Sequence, residues 1–355
     1  MSEAAARRAT ASVDGSQRPL GTGGTRLADA FERVSSMPAL ADARRRLLRL
    51  ADREAASPGE VADAIESDAA LAIVVMRAAS NGQGPPGGVA GVREAVEALG
   101  PTGVKVLAGG LQTYDLFDEP RLSVDRHERF RRHAVGVRRV ADHIGDVAHV
   151  GKREELAVAA LIHDIGRLVL IELYGEEYAG RRQSETPDDQ VHRERRDLGI
   201  DHALVGAVLV RRWGLRPGIA TAVEQHHSQK ADGHAAVLRL ADGIVHYVAG
   251  ERVHTDSLVK IAAGLEIGPD RLRSLIYEFP YVGESRRRTA DPCPLSAREI
   301  DALRGLAEGK VYKQIAQELN LSVSTIRTHL HNVYRKIGAV DRAQAVLLAR
   351  DRGWI

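Results

Sequence analysis

The chain has 355 residues, with 50 Lys or Arg against 48 Asp or Glu and a formal net charge of +2, which is too long for one small core and predicts two or three domains. The near-cancelling charge excludes a chain-wide field for nucleic acid or anionic membrane, so any such attraction must be local. A single cysteine, Cys293, excludes an internal disulfide, and 44% apolar residues exclude wholesale disorder, while 4% aromatics leave the cores to aliphatic side chains.

Residues 1–27 are rich in Ala, Gly, Ser, Thr and Arg without apolar periodicity, which predicts a disordered tail. They lack the apolar stretch of a secretory signal, and nowhere do about 18 apolar residues run together, so a cytoplasmic protein without membrane contact is expected. From Leu27 to about Leu275 the pattern is helical. In VADAIESDAALAIVVMRAAS, for example, Val61, Ile65, Leu71, Val74 and Val75 recur at a helical period. Breaks are expected at Asn81 to Gly88, Ala98 to Gly103 and Gly214 to Gly218, where Gly and Pro cluster. No alternating run predicts a strand. Three prolines and a triple Arg make residues 280–294 a linker, after a helical extension over 251–279 that follows a main domain over 28–250.

Residues 295–355 predict four helices. Ser296 and Glu299 form a capping box, and Ile300, Leu303 and Leu306 mark one face until Gly309. A short helix spans Tyr312 to Leu319. Ser322 caps a third, whose Ile326, Leu330, Val333 and Ile337 form an apolar stripe, and Gly338 ends it before Asp341 caps a fourth. The other face of the third helix carries Ser324, Thr325, Arg327, Thr328, His331, Asn332 and Arg335, groups that suit phosphates and base edges. From Asp291 onward ten Lys or Arg face seven Asp or Glu, a surplus of three, to which the Arg triplet at 286–288 adds. Two helices joined by a short turn, the second polar and basic, describe a helix-turn-helix that enters a major groove.

Through LSAREIDALRGLAEG, KQIAQELNLSVSTIRTHLHNVYRKIG and DRAQAVLLARDRGWI, this segment resembles the LuxR-type (GerE-like) helix-turn-helix domain. The resemblance implies that Arg327, Thr328 and His331 face bases, and that Lys313, Ser324, Thr325, Asn332, Arg335 and Lys336 contact the backbone of double-stranded DNA. His331 stands where the family often has Lys. The fourth helix is the family's usual dimer surface, which implies a homodimer on DNA.

Within LIHDIGRLVL, His163 and Asp164 interrupt an apolar run, although burying an unpaired polar pair costs several kcal/mol. Candidate partners are His133, His202, His226, His227 and Asp242. Imidazole and carboxylate together suit divalent iron, manganese or zinc, and helices can converge such side chains on one ion. His234, His246 and His254 are assigned to surface or core packing.

With MPALADARRRLLRL, GVREAVEALGPTGVKVL, HDIGRLVL and GIDHALVGAVLVRRWGLRPGIATAVEQHH in this order, the segment resembles the HD superfamily and, within it, the HDOD domain. The resemblance implies an all-α fold, an HD-superfamily helical domain followed by the four-helix DNA-binding domain. It further implies His133, His163, Asp164 and Asp242 as core metal ligands, with His202, His226 and His227 available to a second metal as in the HD-GYP branch. Arg129 replaces that branch's Glu and would repel a second cation. Arg167 replaces its Lys, and no GYP follows the double His, which argues against hydrolysis of a cyclic dinucleotide although Arg167 suits a phosphate. The expected function is a DNA-binding transcriptional regulator whose HDOD module senses a small-molecule or protein signal and controls pairing of the C-terminal domains. The alternative is a metal-dependent HD-type phosphohydrolase with a DNA-binding tail.

Overall fold

The structure, a computed structural model, describes residues 23–53, 56–82, 87–115, 122–175, 178, 185–278, 293–351 and 354–355. The expected tail and linker lie outside these, except for Cys293 and Pro294 of the linker and for Gly23 to Leu27, which already belong to the first helix, so that it starts earlier than its apolar pattern does. The all-α expectation holds: beside helices, the described residues contain only a two-residue parallel bridge, β1 (Ala39–Leu40) with β2 (Thr113–Tyr114).

The N-terminal part runs through α1 (Gly23–Ser35), α2 (Ala41–Ala51), α3 (Pro58–Ile65), α4 (Ala69–Asn81) and α5 (Val92–Gly110). The Ala- and Val-rich run read as helical is split between α3 and α4 by buried Asp68. Its Oδ1 accepts from the amides of Ala70 (2.8 Å) and Leu71 (3.2 Å), while Oδ2 accepts from Leu40 N of β1 (2.9 Å). One carboxylate thus caps α4 and anchors the strand bridge.

The centre of the domain is built by α6 (Leu122–Val147), α7 (Arg153–Ile162), α8 (Ile165–Tyr174), α9 (Pro187–Leu198), α10 (His202–Arg212), α11 (Pro217–Gln225) and α12 (Gly233–Val248). These bury a continuous aliphatic core that includes Leu161, Ile165, Leu170, Leu209 and Ile219. Gly166 of α8 and Gly206 of α10 set its tightest approach. A Cβ on Gly166 of α8 would lie 1.9 Å from the carbonyl oxygen of His202, so α8 and α10 touch backbone to backbone. Two further helices, α13 (Thr255–Gly264) and α14 (Pro269–Glu278), follow.

The C-terminal bundle comprises α15 (Ala297–Ala307), α16 (Tyr312–Glu318), α17 (Val323–Ile337) and α18 (Arg342–Asp351) around a separate core of Leu303, Leu306, Ile315, Ile326, Leu330, Val333 and Ile337. The Ser296–Glu299 box and the Ser322 cap form as read, and Gly338 closes α17 at φ +74°. The bundle also touches the larger domain. The Tyr247 hydroxyl at the end of α12 donates to the Asp341 carboxylate, and Gln344 Nε2 of α18 donates to the carbonyls of Tyr247 (3.1 Å) and Glu251 (3.3 Å). Leu348 covers Gly250, where a Cβ would meet its Cδ2 at 2.5 Å, and Ala343 and Leu347 pack on the larger core. No described helix is long and apolar enough to cross a membrane.

Candidate metal centre and nucleic-acid surface

The interruption at His163 and Asp164 is a helix junction: α7 ends at Ile162, α8 begins at Ile165, and the pair occupies the turn between them. Both side chains are buried, at 0% and 5% exposure, and point toward α6, α10 and the end of α11. The structure gathers all seven residues singled out from the sequence into two adjoining groups, His133 with His163 and Asp242, and Asp164 with His202, His226 and His227. His226 and His227 are drawn into the interior.

The ring nitrogens are arranged alike. Nδ1 of His163 lies 2.8 Å from Ala160 O, that of His226 2.6 Å from Val223 O, and that of His202 2.7 Å from Glu194 Oε2. Their Nε2 atoms turn inward. Those of His133 and His163 are 3.3 Å apart, those of His227 and His202 3.2 Å, and His202 Nε2 lies 3.2 Å from Asp164 Oδ1. Donors held about 2.0–2.2 Å from one tetrahedral ion stand about 3.3–3.6 Å from each other, so these spacings fit an ion. The same conclusion follows from unmet polarity, because buried His226 Nε2 and Asp242 Oδ1 have no hydrogen-bond partner among the described residues.

Burial and the buried carboxylates pull the histidines of the centre in opposite directions. Burial alone would lower His202, but the Glu194 and Asp164 carboxylates outweigh it and raise the imidazole to about 10. Burial also opposes ionisation of Asp164, yet Arg167 and the surrounding histidines hold that carboxyl well below its usual range. Where no carboxylate dominates, burial prevails: His133 falls to about 4 and His227 to about 3. Arg167 Nη1 donates to Asp164 Oδ2 at 2.7 Å, so it already neutralises a candidate ligand. Arg129 is exposed on α6. A cleft of about 30 Å³, room for about one water, reaches His227 and Asp242 between Asp188, Arg239 and His254.

Two contributors escape the sequence reading. Glu194, fully buried on α9, holds both the backbone amide (2.8 Å) and Nδ1 of His202 and accepts from the Tyr178 hydroxyl. His246, assigned to packing, instead lies with Nε2 3.0 Å from Asp242 Oδ1, its ring centroid 4.6 Å from that of His133. The Asp242–His246 spacing of four on one helix was the available signal. His234, by contrast, lies in the first turn of α12 with Nε2 2.8 Å from Gly151 O, and His254 is exposed.

On α17, Arg327, Thr328, His331 and Arg335 are exposed along one face, with Lys313 exposed on α16. The hydroxyls of Ser324 and Thr325 lie 2.6 and 2.8 Å from Ser322 Oγ, Thr328 bonds Ser324 O, and Arg335 bonds Asn332. Lys336 is engaged: its ammonium lies 2.7 Å from buried Glu299. Among the described residues Arg327 and His331 show no such tie.

Comparison with known proteins agrees with this division. The HDOD domain family matches residues 37–229, and the family described as bacterial regulatory proteins, luxR family, matches 293–349. The chain is 46% identical over 65 residues, 18% of its length, to the probable transcriptional regulatory protein NarL of Mycobacterium tuberculosis. It is 31% identical over 115 residues, 32% of its length, to the nitrate/nitrite response regulator protein NarP of Escherichia coli. The matched stretches cover 30% and 52% of these relatives. Among solved structures, the MmoQ response regulator of Methylococcus capsulatus aligns over 68% of this chain and 98% of its own with a TM-score of 0.53 at 24% identity, which shows a shared fold. The HDOD match spans more than half of the chain, which therefore belongs to the HDOD domain family and ends in a luxR-family domain.

Proposed function

We propose that this protein is a cytoplasmic transcriptional regulator that binds double-stranded DNA through α17 and whose HDOD module governs the pairing of its C-terminal domains in response to a small-molecule or protein signal. The observation that carries the reading is the open face of α17, where Arg327 and His331 are exposed, with no partner among the described residues, beside Thr328 on a helix braced by its own core. Kinship to proteins named as transcriptional regulators supports it. Pairing through α18 is the point of control, because this helix is the one gripped by Tyr247 of α12 and by Gly250 and Glu251 just after it. Release from α12 would free α18 for a second copy, and two α17 helices would then read half-sites about one turn apart.

We also assign divalent iron, manganese or zinc to the histidine–aspartate centre, one position offered by His133, His163 and Asp242 and an adjoining one by Asp164, His202, His226 and His227. Bound there, the ion supplies charge compensation for the buried carboxylates and fixes the relative positions of α6, α10 and α12. Arg167 holds Asp164 Oδ2, which favours a sensing or structural ion over hydrolysis.

Duplex titration at several salt concentrations tests the DNA reading. With ~6 to 8 phosphates neutralised per dimer, log affinity should fall against log salt with a slope of roughly −5 to −7. A flat response, or unchanged affinity after removal of residues 291–355, would overturn it.

A further inference from the structure

We propose that His246 is itself a metal ligand, joining His133 and Asp242 on the α12 side of the centre. The inference rests on the reading of this cluster as a metal site. Four observations carry it. His246 and Asp242 are four residues apart on α12, so their donor atoms share one helical face, and Nε2 lies 3.0 Å from Asp242 Oδ1. The side chain is buried, at 6% exposure, in the wall of the site. Its other nitrogen, Nδ1, lies 2.8 Å from Glu251 Oε2, which repeats the pairing of His202 with Glu194 across the centre. A carboxylate on the outer nitrogen is the usual device for orienting a metal-bound imidazole and strengthening it as a donor.

The fourth observation concerns Asp242 Oδ1. Nε2 atoms of His133 and His246 both lie 3.0 Å away and that of His163 3.7 Å, yet this buried oxygen has no hydrogen bond of acceptable geometry. Nitrogens that crowd an oxygen without aiming a proton at it are placed as co-ligands. A histidine that only held the carboxylate in position would direct its N–H along the line to the oxygen.

The test is metal binding by the full-length protein. The chain is stripped with chelator and titrated with zinc alone, and bound equivalents are read by elemental analysis, the histidine count per ion by X-ray absorption of the zinc. Wild type is expected to bind zinc, His246→Ala to weaken one class of site at least a hundredfold and to lose one imidazole from the averaged shell, and Glu251→Gln to weaken the same class about tenfold. His234→Ala serves as the control histidine and should match wild type. Retained α-helical signal and duplex binding show that the variants are folded. If wild type binds zinc and His246→Ala does so equally, with the same imidazole count, His246 is not a ligand and only this inference falls. If wild type itself takes up no zinc, the metal reading falls and takes this inference with it.

Discussion

Arg327 and Lys336 lie on the same helix, but their removal should be felt differently. Arg327 is exposed and has no partner among the described residues, so Arg327→Ala should leave the melting temperature unchanged while costing about 1–3 kcal/mol of discrimination between operator and mismatched duplex, read by competition binding. Lys336 bonds Glu299, so Lys336→Ala also strips a buried carboxylate of its counterion and should lower stability by about 1 kcal/mol in chemical denaturation. The pH dependence separates the two further. Burial raises the Glu299 carboxyl, but Lys336 and Ser296 outweigh it and leave it below its ordinary value. A lowered folded-state value means that its stabilisation is complete above the unfolded value near ~4.3 and disappears as pH falls below it. Wild type should therefore lose more stability than Lys336→Ala between pH ~5 and ~3. The face of α17 was legible from spacing alone. The engagement of Lys336 was not, because its partner lies 37 positions away on another helix. His246 was missed for a related reason: spacing from Asp242 is visible in the sequence, but Glu251 and the turn that brings it back are features of the folded end of α12.

Among elements, the α8–α10 contact and the α3–α4 junction are the sharpest. Gly166→Ala would drive a methyl into the His202 carbonyl, and two backbones cannot both give way without parting the helices. The expected loss is about 3 kcal/mol or more, with displacement of His202 from the centre; a variant as stable as wild type would show that the helices are further apart. Asp68→Ala removes three acceptor bonds at a buried cap and should cost about 2–3 kcal/mol by denaturation. Most helix positions were readable because apolar spacing and the Gly and Pro breaks agree, as at Gly214 and Pro217, where one helix ends and α11 begins. The split at Asp68 was hidden because Ala and Val continue on both sides, and only the tertiary bond to Leu40 shows what the residue does.

At the scale of the whole molecule, the proposed control of pairing predicts that the grip of α12 on α18 sets an equilibrium between a docked and a free DNA-binding domain. Tyr247→Phe removes one hydroxyl bond to a carboxylate, worth about 1 kcal/mol, and should shift that balance roughly fivefold toward the free form. Sedimentation velocity should then show dimers at correspondingly lower protein concentration. An unchanged monomer–dimer balance would mean that the contact does not restrain pairing. Nothing in the sequence announces this contact. Apolar periodicity reports that a helix has a buried side, not which body buries it, and Gln344 and Leu348 read equally well as parts of their own bundle.

The end of α12 carries Asp242 and His246 toward the centre and Tyr247, Gly250 and Glu251 toward the DNA-binding domain within ten residues. For anyone fusing this HDOD module to a foreign output, the proposed coupling means that the join cannot be chosen by domain limits alone. On that proposal, a transplanted luxR-type tail lacking counterparts of Asp341, Gln344 and Leu348 should arrive folded but unresponsive, whereas one bearing those three should stay coupled.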